Sequence, residues 1–276
     1  MEFIILNRNL SPLSDLKLLA SNRAFLYGDG IFETIKVVSG NIFNFSAHFN
    51  RLKSSLKFLE IDCDVSKNEL SSLIQKLLSK NNICNGGRVR VTFFRDSSGK
   101  YLPDYNKGSF IIQTFINDLN YFEFNQRGLS LGFYNEQKKN SGSLSNLKSV
   151  NALIYVLASL FAKKKSFDDA IIFNENNLPI ETSNSNIFIL KNNVIITPNL
   201  CQGCVDGTMR RLIIDILKNN YEVLEKNIEI NDFKLAHEVF ISNSITGVKW
   251  VKKVEDTVYE SSKISSSLIK NLNQLV

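Results

Sequence analysis

The run Ser145-Asn146-Leu147-Lys148-Ser149-Val150-Asn151 and, thirty-three residues beyond its lysine, Glu181 in Pro179-Ile180-Glu181-Thr182-Ser183-Asn184-Ser185-Asn186-Ile187-Phe188 decide how this chain is read. Lys148 stands where a polar loop enters an apolar segment of helical period. The helix dipole favours anions at that end, so a lysine here is either a solvated surface residue or a placed one. Glu181 follows an apolar strand and a turn at 174–178. A carboxylate among small polar residues, between two strands, is either a loop acid or the partner of a buried cationic ring nitrogen.

Working outward, the upstream residues alternate between strand and helix signals. Phe3 to Leu6 reads as a strand. Asp29-Gly30 leads into Ile31 to Val38, and Ser39-Gly40-Asn41 marks a hairpin turn before Ile42, Phe43 and Phe45. Ser46 is placed to cap a helix whose Phe49, Leu52, Leu56 and Leu59 share one face. A second helix covers 66–80. Strands at 88–94 and 110–115 flank a polar loop, and 118–124 reads as a linker.

Downstream come a strand at 129–134, a polar loop at 136–147 and a helix over 149–164 with Leu153, Val156, Leu157 and Leu160 inward. Strands follow at 169–173, 186–190 and 193–197, then a helix at 207–218. A short helix near 231–236 precedes a strand at 238–242, and 261–276 forms a last helix. Hairpins outnumber βαβ units. This predicts an α+β fold of two domains, 1–117 and a larger 125–276 that carries Lys148, with the active site in the cleft between them.

Composition narrows the function. With 276 residues, 43% hydrophobic and 22% charged, the chain can bury a core without staples and is neither collagen, coiled coil nor disordered. No apolar run approaches the ~20 residues of a membrane span, and the N-terminus lacks the pattern of an export leader. Four cysteines make no disulfide framework, which fits a reducing cytoplasm. Cys201 and Cys204 have CxxC spacing, but no second pair or nearby histidine completes a metal site, and no metal is expected. His48 and His237 adjoin no nucleophile motif, and no phosphate loop of the Walker or GxGxxG type is present. The net charge of +6 is spread along the chain, with dense runs only at Lys138-Lys139, Lys163-Lys164-Lys165 and Lys252-Lys253. A nucleic-acid binder would cluster such charge on one face; a diffuse positive field suits an anionic small substrate.

Taken in order, the patches from Tyr27-Gly28-Asp29-Gly30-Ile31-Phe32-Glu33-Thr34 to Val239-Phe240-Ile241-Ser242-Asn243-Ser244 resemble the class IV aminotransferases, pyridoxal-phosphate enzymes of fold type IV. That family includes branched-chain and D-amino-acid aminotransferases and aminodeoxychorismate lyases. The resemblance implies that Lys148 is the Schiff-base lysine, which also moves protons. It implies that Glu181 faces the pyridine nitrogen and keeps it protonated. Arg51, in His48-Phe49-Asn50-Arg51-Leu52, matches the arginine that binds the phosphate; on helix geometry alone it would flank its apolar face and snorkel. Gly207-Thr208-Met209-Arg210 opens a helix and so forms an anion site, with Thr208 and Met209 contributing. Ser244 matches a hydroxyl on the same phosphate.

Within the family the loops lean towards the lyases. Branched-chain enzymes carry a tyrosine shortly after the lysine, where this chain has Ala152 or Leu153. The D-amino-acid enzymes have an Arg-Asn-His trap, whereas this loop reads Arg95-Asp96-Ser97-Ser98-Gly99-Lys100-Tyr101, without histidine. The resemblance therefore implies elimination of pyruvate from 4-amino-4-deoxychorismate to give 4-aminobenzoate, with Tyr27, Thr34, Arg95 and Lys100 towards the substrate. The alternatives are transamination with a 2-oxo acid acceptor, acting on branched-chain or D-amino acids, and a non-catalytic nucleic-acid-binding α+β protein. The resemblance also implies a homodimer. No membrane or nucleic-acid partner is expected.

Overall fold

The computed structural model describes residues 1–117 and 119–276, so the first residue of the expected 118–124 linker lies outside the described residues. The chain divides into two units. One is Met1–Tyr121 with Lys148–Asn151 and Val276; the other is Phe122–Leu147 with Ala152–Leu275.

The first unit runs β1 (Phe3–Leu6), β2 (Asn9–Pro12), α1 (Arg23–Tyr27), β3 (Gly30–Val38), β4 (Asn41–Ile42), α2 (Phe45–Phe58), α3 (Lys67–Lys80), β5 (Gly87–Arg95) and β6 (Gly108–Ile116). Its six strands form one antiparallel sheet in the order β2-β1-β6-β5-β3-β4. Strand alternation sorts β3 and β5 into two faces. Ile31, Ile35, Val89 and Val91 pack with Leu52 and Leu56 of α2 and Ile74 of α3 in the core. Phe32, Thr34 and Lys36 lie on the other face, opposite Thr92, Arg90 and Arg88 in register. The α3 helix begins as expected, with Ser66 accepting from the Glu69 N–H at 3.1 Å. The α2 helix does not: it follows Asn44, in the left-handed region at φ 52°, and the expected cap Ser46 lies inside the helix.

Lys148 is not at a helix entrance. Its segment is extended and lies along β3, where the Phe32 N–H donates to the Lys148 carbonyl at 2.9 Å and the Val150 N–H to the Gly30 carbonyl at 3.0 Å. An Ile31–Ser149 bridge joins them. These backbone bonds place the lysine with the first unit, whereas the sequence assigned it to the second half.

The second unit runs β7 (Leu129–Lys139), α4 (Leu153–Lys164), β8 (Asp169–Asn174), β9 (Pro179–Thr182), β10 (Asn186–Lys191), β11 (Val194–Thr197), α5 (Thr208–Leu217), β12 (Glu222–Glu225), α6 (Ile230–Leu235), β13 (Glu238–Asn243), β14 (Gly247–Val254), β15 (Thr257–Val258) and α7 (Lys263–Gln274). The sheet order is β12-β11-β10-β13-β14-β7-β8-β9, with β15 on β14. Because β9 also pairs β10 through Glu181↔Asn186, six of these strands close into a ring. β7 continues to Lys139, past the expected start of the loop at 136, because backbone pairing with β8 resumes at Lys138 after an irregularity.

The expected face of α4 is reversed. Leu153, Val156, Leu157 and Leu160 are 78, 51, 43 and 57% exposed, and Ala158 and Ala162 are buried instead. The helix is apolar nearly all round, so periodicity alone does not choose a face. The two small alanines let it approach Tyr134 of β7 and Ala170 and Ile172 of β8.

Candidate active site

Glu33 is a charged residue on the core face of β3, where Ile31 and Ile35 are its same-face neighbours. It is buried and accepts from Arg51 at 2.7 Å (Nε) and 2.6 Å (Nη2), and from His48 Nδ1 at 2.6 Å. His48 and Arg51 are one helical turn apart on α2, so both reach the same carboxylate. Burial alone would raise the Glu33 pKa, but the Arg51 and His48 charges and their hydrogen bonds bring it down to about 2. The result is an arginine whose plane is fixed from behind.

On the opposite face of β3, Lys148 Nζ lies 4.5 Å from the centroid of the Phe32 ring. The Arg90 guanidinium carbon is 3.7 Å from the same centroid. Burial, with Arg88 adding to it, lowers the Arg90 pKa. Arg90 faces Thr34 across the register, so a hydroxyl and a guanidinium share the surface that carries the lysine. Gly28 explains why this segment docks as it does. It adopts φ 66°, and a Cβ there would overlap Asn151, whose amide donates to the Gly28 carbonyl at 2.9 Å.

The expected substrate residues of this unit divide. Arg95 is occupied: it donates to Asp29 Oδ2 at 3.0 Å, the Glu60 carbonyl at 2.8 Å, Asn106 Oδ1 at 2.5 Å and the Leu59 carbonyl at 2.6 Å. It ties the loop rather than presenting a cation, a correction to its sequence assignment. Lys100 is exposed, and its carbonyl accepts from Arg23 at 2.5 Å. The Tyr27 ring sits 5.5 Å from that of Tyr101 and 5.0 Å from the Arg23 guanidinium carbon.

In the second unit Glu181 lies where β9 and β10 close the ring of strands. Its Oε1 accepts from Lys139 Nζ at 2.6 Å and from the Tyr155 hydroxyl at 2.9 Å, and its Oε2 from the Val205 N–H at 2.8 Å. Lys139 also donates to the Tyr155 hydroxyl at 2.6 Å and the Ser145 carbonyl at 2.9 Å. Burial, then the Glu181 charge, drives the Tyr155 pKa far up, so this phenol stays a donor. Sequence reading missed both partners. Lys139 is one member of a basic doublet, and Tyr155 lies beyond Ala152 and Leu153, the positions that match the tyrosine of branched-chain enzymes.

The turn before α5 is shaped for an anion. Its N-cap Gly207 makes no side-chain cap bond, and Thr208 Oγ1 and Ser244 Oγ meet at 3.0 Å. A Cβ on Gly207 would overlap Asn186 Oδ1, while Asn186 Nδ2 donates to the Val205 carbonyl at 2.8 Å. Only glycine lets the backbone come this close. Helix N–H groups and two hydroxyls converging at one place suit a phosphate ester. Met209 is buried behind them.

Cys201 is exposed and Cys204 buried, both free thiols, and burial followed by the Glu181 charge pushes the Cys204 pKa up to about 12. Among the described residues no group of three or more metal-ligating side chains occurs.

Comparison with known proteins identifies the family. A family model described as amino-transferase class IV matches residues 30–254. The aminodeoxychorismate lyase of Vibrio harveyi is 29% identical over 259 residues, 91% of this chain and 94% of its own. The D-alanine aminotransferase of Listeria monocytogenes is 27% identical over 247 residues, 87% of this chain and 83% of its own. The fold is also that of the Escherichia coli branched-chain amino acid aminotransferase, with a TM-score of 0.89, 21% identity and coverage of 100% of this chain and 96% of that one.

Proposed function

The chain belongs to the class IV aminotransferases, and from that premise we propose that it is a pyridoxal-phosphate lyase that eliminates pyruvate from 4-amino-4-deoxychorismate to give 4-aminobenzoate. The observation that carries the reading is Lys148 pinned by its own backbone to β3, with its amine against the Phe32 ring that Arg90 also contacts.

When bound, the cofactor supplies an aldehyde that an amine can hold covalently and a ring that withdraws electrons. The donor set fits it. Thr208, Ser244 and the N–H groups of α5, with Met209 behind them, and Arg51 bind the phosphate. Glu181, kept in place by Lys139, Tyr155 and the Val205 N–H, holds a proton at the ring nitrogen. Lys148 Nζ takes the proton from the substrate carbon that bears the amine and returns one as pyruvate leaves. Arg90 and Thr34 bind a substrate carboxylate, a role for which Arg95 has no need, and Tyr27 and Lys100 line the approach.

Two features support elimination over transamination. Ala152 and Leu153 offer no hydroxyl after the lysine, and the Tyr155 hydroxyl is engaged by Glu181 and Lys139. Aminodeoxychorismate lyases stand among the relatives. We also assign the exposed stripe of α4, whose four apolar residues recur at helical spacing, to the contact with a second copy in a homodimer. No helix of the described residues is long and apolar enough to cross a membrane, and action in the cytoplasm accords with four free thiols.

The test is a reaction without acceptor. 4-Amino-4-deoxychorismate yields 4-aminobenzoate and pyruvate in equal amounts if the proposal holds. Amino transfer that requires a 2-oxo acid, with no aromatic product, shows an aminotransferase instead. Borohydride reduction and peptide mapping place the label on Lys148; a label elsewhere removes the basis of both readings.

A further inference from the structure

Ser242 is the hydroxyl for which neither the fold nor the proposed chemistry has yet found a use. It sits on β13 directly opposite Asn186, and Asn186 is directly opposite Glu181 on β9. Residues paired across neighbouring strands project to the same face, so Glu181, Asn186 and Ser242 form one lateral row. Val239 and Ile241, the alternate residues of β13, belong to the apolar core on the other face. Ser242 is only 2% exposed, and its Oγ has no hydrogen-bond partner among the described residues.

The surroundings give this orphan a direction. Asn186, beside it in the row, holds the turn before α5 through Val205 and abuts Gly207. The α5 helix packs against β13. Two residues further on, Ser244 meets Thr208 at the phosphate turn. In the row Asn186 stands between Glu181 and Ser242, and the same Asn186 abuts the anion-binding turn. Burying a hydroxyl without a partner is unfavourable, and alanine would fill the same space if packing were the only requirement.

We propose that Ser242 is a further binding residue of this site, its hydroxyl donating a hydrogen bond to the bound cofactor from the sheet side. This rests on the pyridoxal-phosphate reading above and goes beyond it by adding a ligand contact. It carries an unusual signature. The hydroxyl burdens the cofactor-free protein and is satisfied only when the ligand arrives, so its removal acts in opposite directions on the two forms.

The experiment compares full-length wild type with Ser242→Ala. Each is stripped of cofactor, melted, and then titrated with pyridoxal phosphate while the visible absorbance of the lysine-bound form is followed. The variant binds roughly five- to tenfold more weakly, the loss of one hydrogen bond, while its cofactor-free form melts at the same temperature as wild type or higher. Equal affinity within twofold overturns the proposal. So does a cofactor-free variant that melts lower, because the hydroxyl is then part of the protein's own scaffold. If wild type itself develops no visible band and no label on Lys148, the cofactor reading fails and this inference with it. A wild type that binds alongside a Ser242→Ala variant that binds equally well sinks this inference alone.

Discussion

Two buried carboxylates, one in each unit, anchor networks of charged side chains, and they work in opposite senses. In the first unit Glu33 is the holder: it grips Arg51 from the core side, with His48 as second donor, and in the proposed function the arginine is the group offered to a ligand. In the second unit the proposed function makes Glu181 the group offered, and Lys139, Tyr155 and the Val205 N–H grip it. The same physical device, a buried ion pair with additional hydrogen bonds, thus positions a cation in one place and an anion in the other. Such pairs contribute little net stability compared with apolar packing, but losing one partner is costly because the other charge is left buried. The member without a ligand role is therefore the one whose loss lowers stability and disturbs binding together.

The comparison can be broken from the first unit most severely. Glu33→Ala leaves Arg51 and His48 buried without their carboxylate and lowers stability by about 4 kcal/mol, read from urea denaturation, with weakened phosphate binding by the folded fraction. Lys139→Met does the corresponding damage in the second unit. Because Lys139 is less deeply enclosed than Arg51, the expected loss is about 3 kcal/mol, and the visible absorbance of the bound cofactor shifts as Glu181 loses its fixed orientation.

Acid tests the first network. The Glu33 pKa is about 2 in the fold against the ordinary 4.5, so the unfolded chain takes up its proton first as pH falls. The stabilisation from Glu33 is fully present above about pH 5 and is lost progressively towards pH 2, up to ~3 kcal/mol in all. Glu33→Gln flattens that part of the pH profile; an unchanged slope would show that Glu33 is not the titrating group. Tyr155→Phe is the mildest cut. It removes one donor to Glu181 and leaves Lys139 in place, so stability falls by about 1 kcal/mol and cofactor binding by a few-fold.

How much of this was legible in the sequence depends on the range of the interaction. Strands with clean alternation, such as Ile31 to Val38, and helices with a one-sided apolar stripe, such as α3, were read with nearly their observed bounds. Lys148, Glu181, Thr208 and Ser244 stood out because each sits in a short motif of distinctive residue types. Lys139 and Arg90 carried no such local mark: one lies in a basic doublet and the other alternates along β5 with core residues. They become notable only when folding sets Lys139 beside Glu181 and brings Arg90 to the Phe32 ring that Lys148 also contacts. Arg95 failed in the reverse way, prominent in its loop yet occupied by backbone carbonyls that no pattern reveals.

The order of residue types along the chain was enough to settle the α+β class and the family, and to single out Lys148, Glu181 and the turn before α5 as candidates, because these depend on local period and on chemistry carried by a few adjacent side chains. Folding in three dimensions alone decided that Lys148 runs along β3 rather than heading a helix, that α4 buries its alanines and exposes its leucines, and that Glu181 is clamped by Lys139 and Tyr155. Those outcomes turn on strand register and on which face of an element meets its neighbour. Both are set by packing and by hydrogen bonds between segments far apart in the chain, where local propensity is silent.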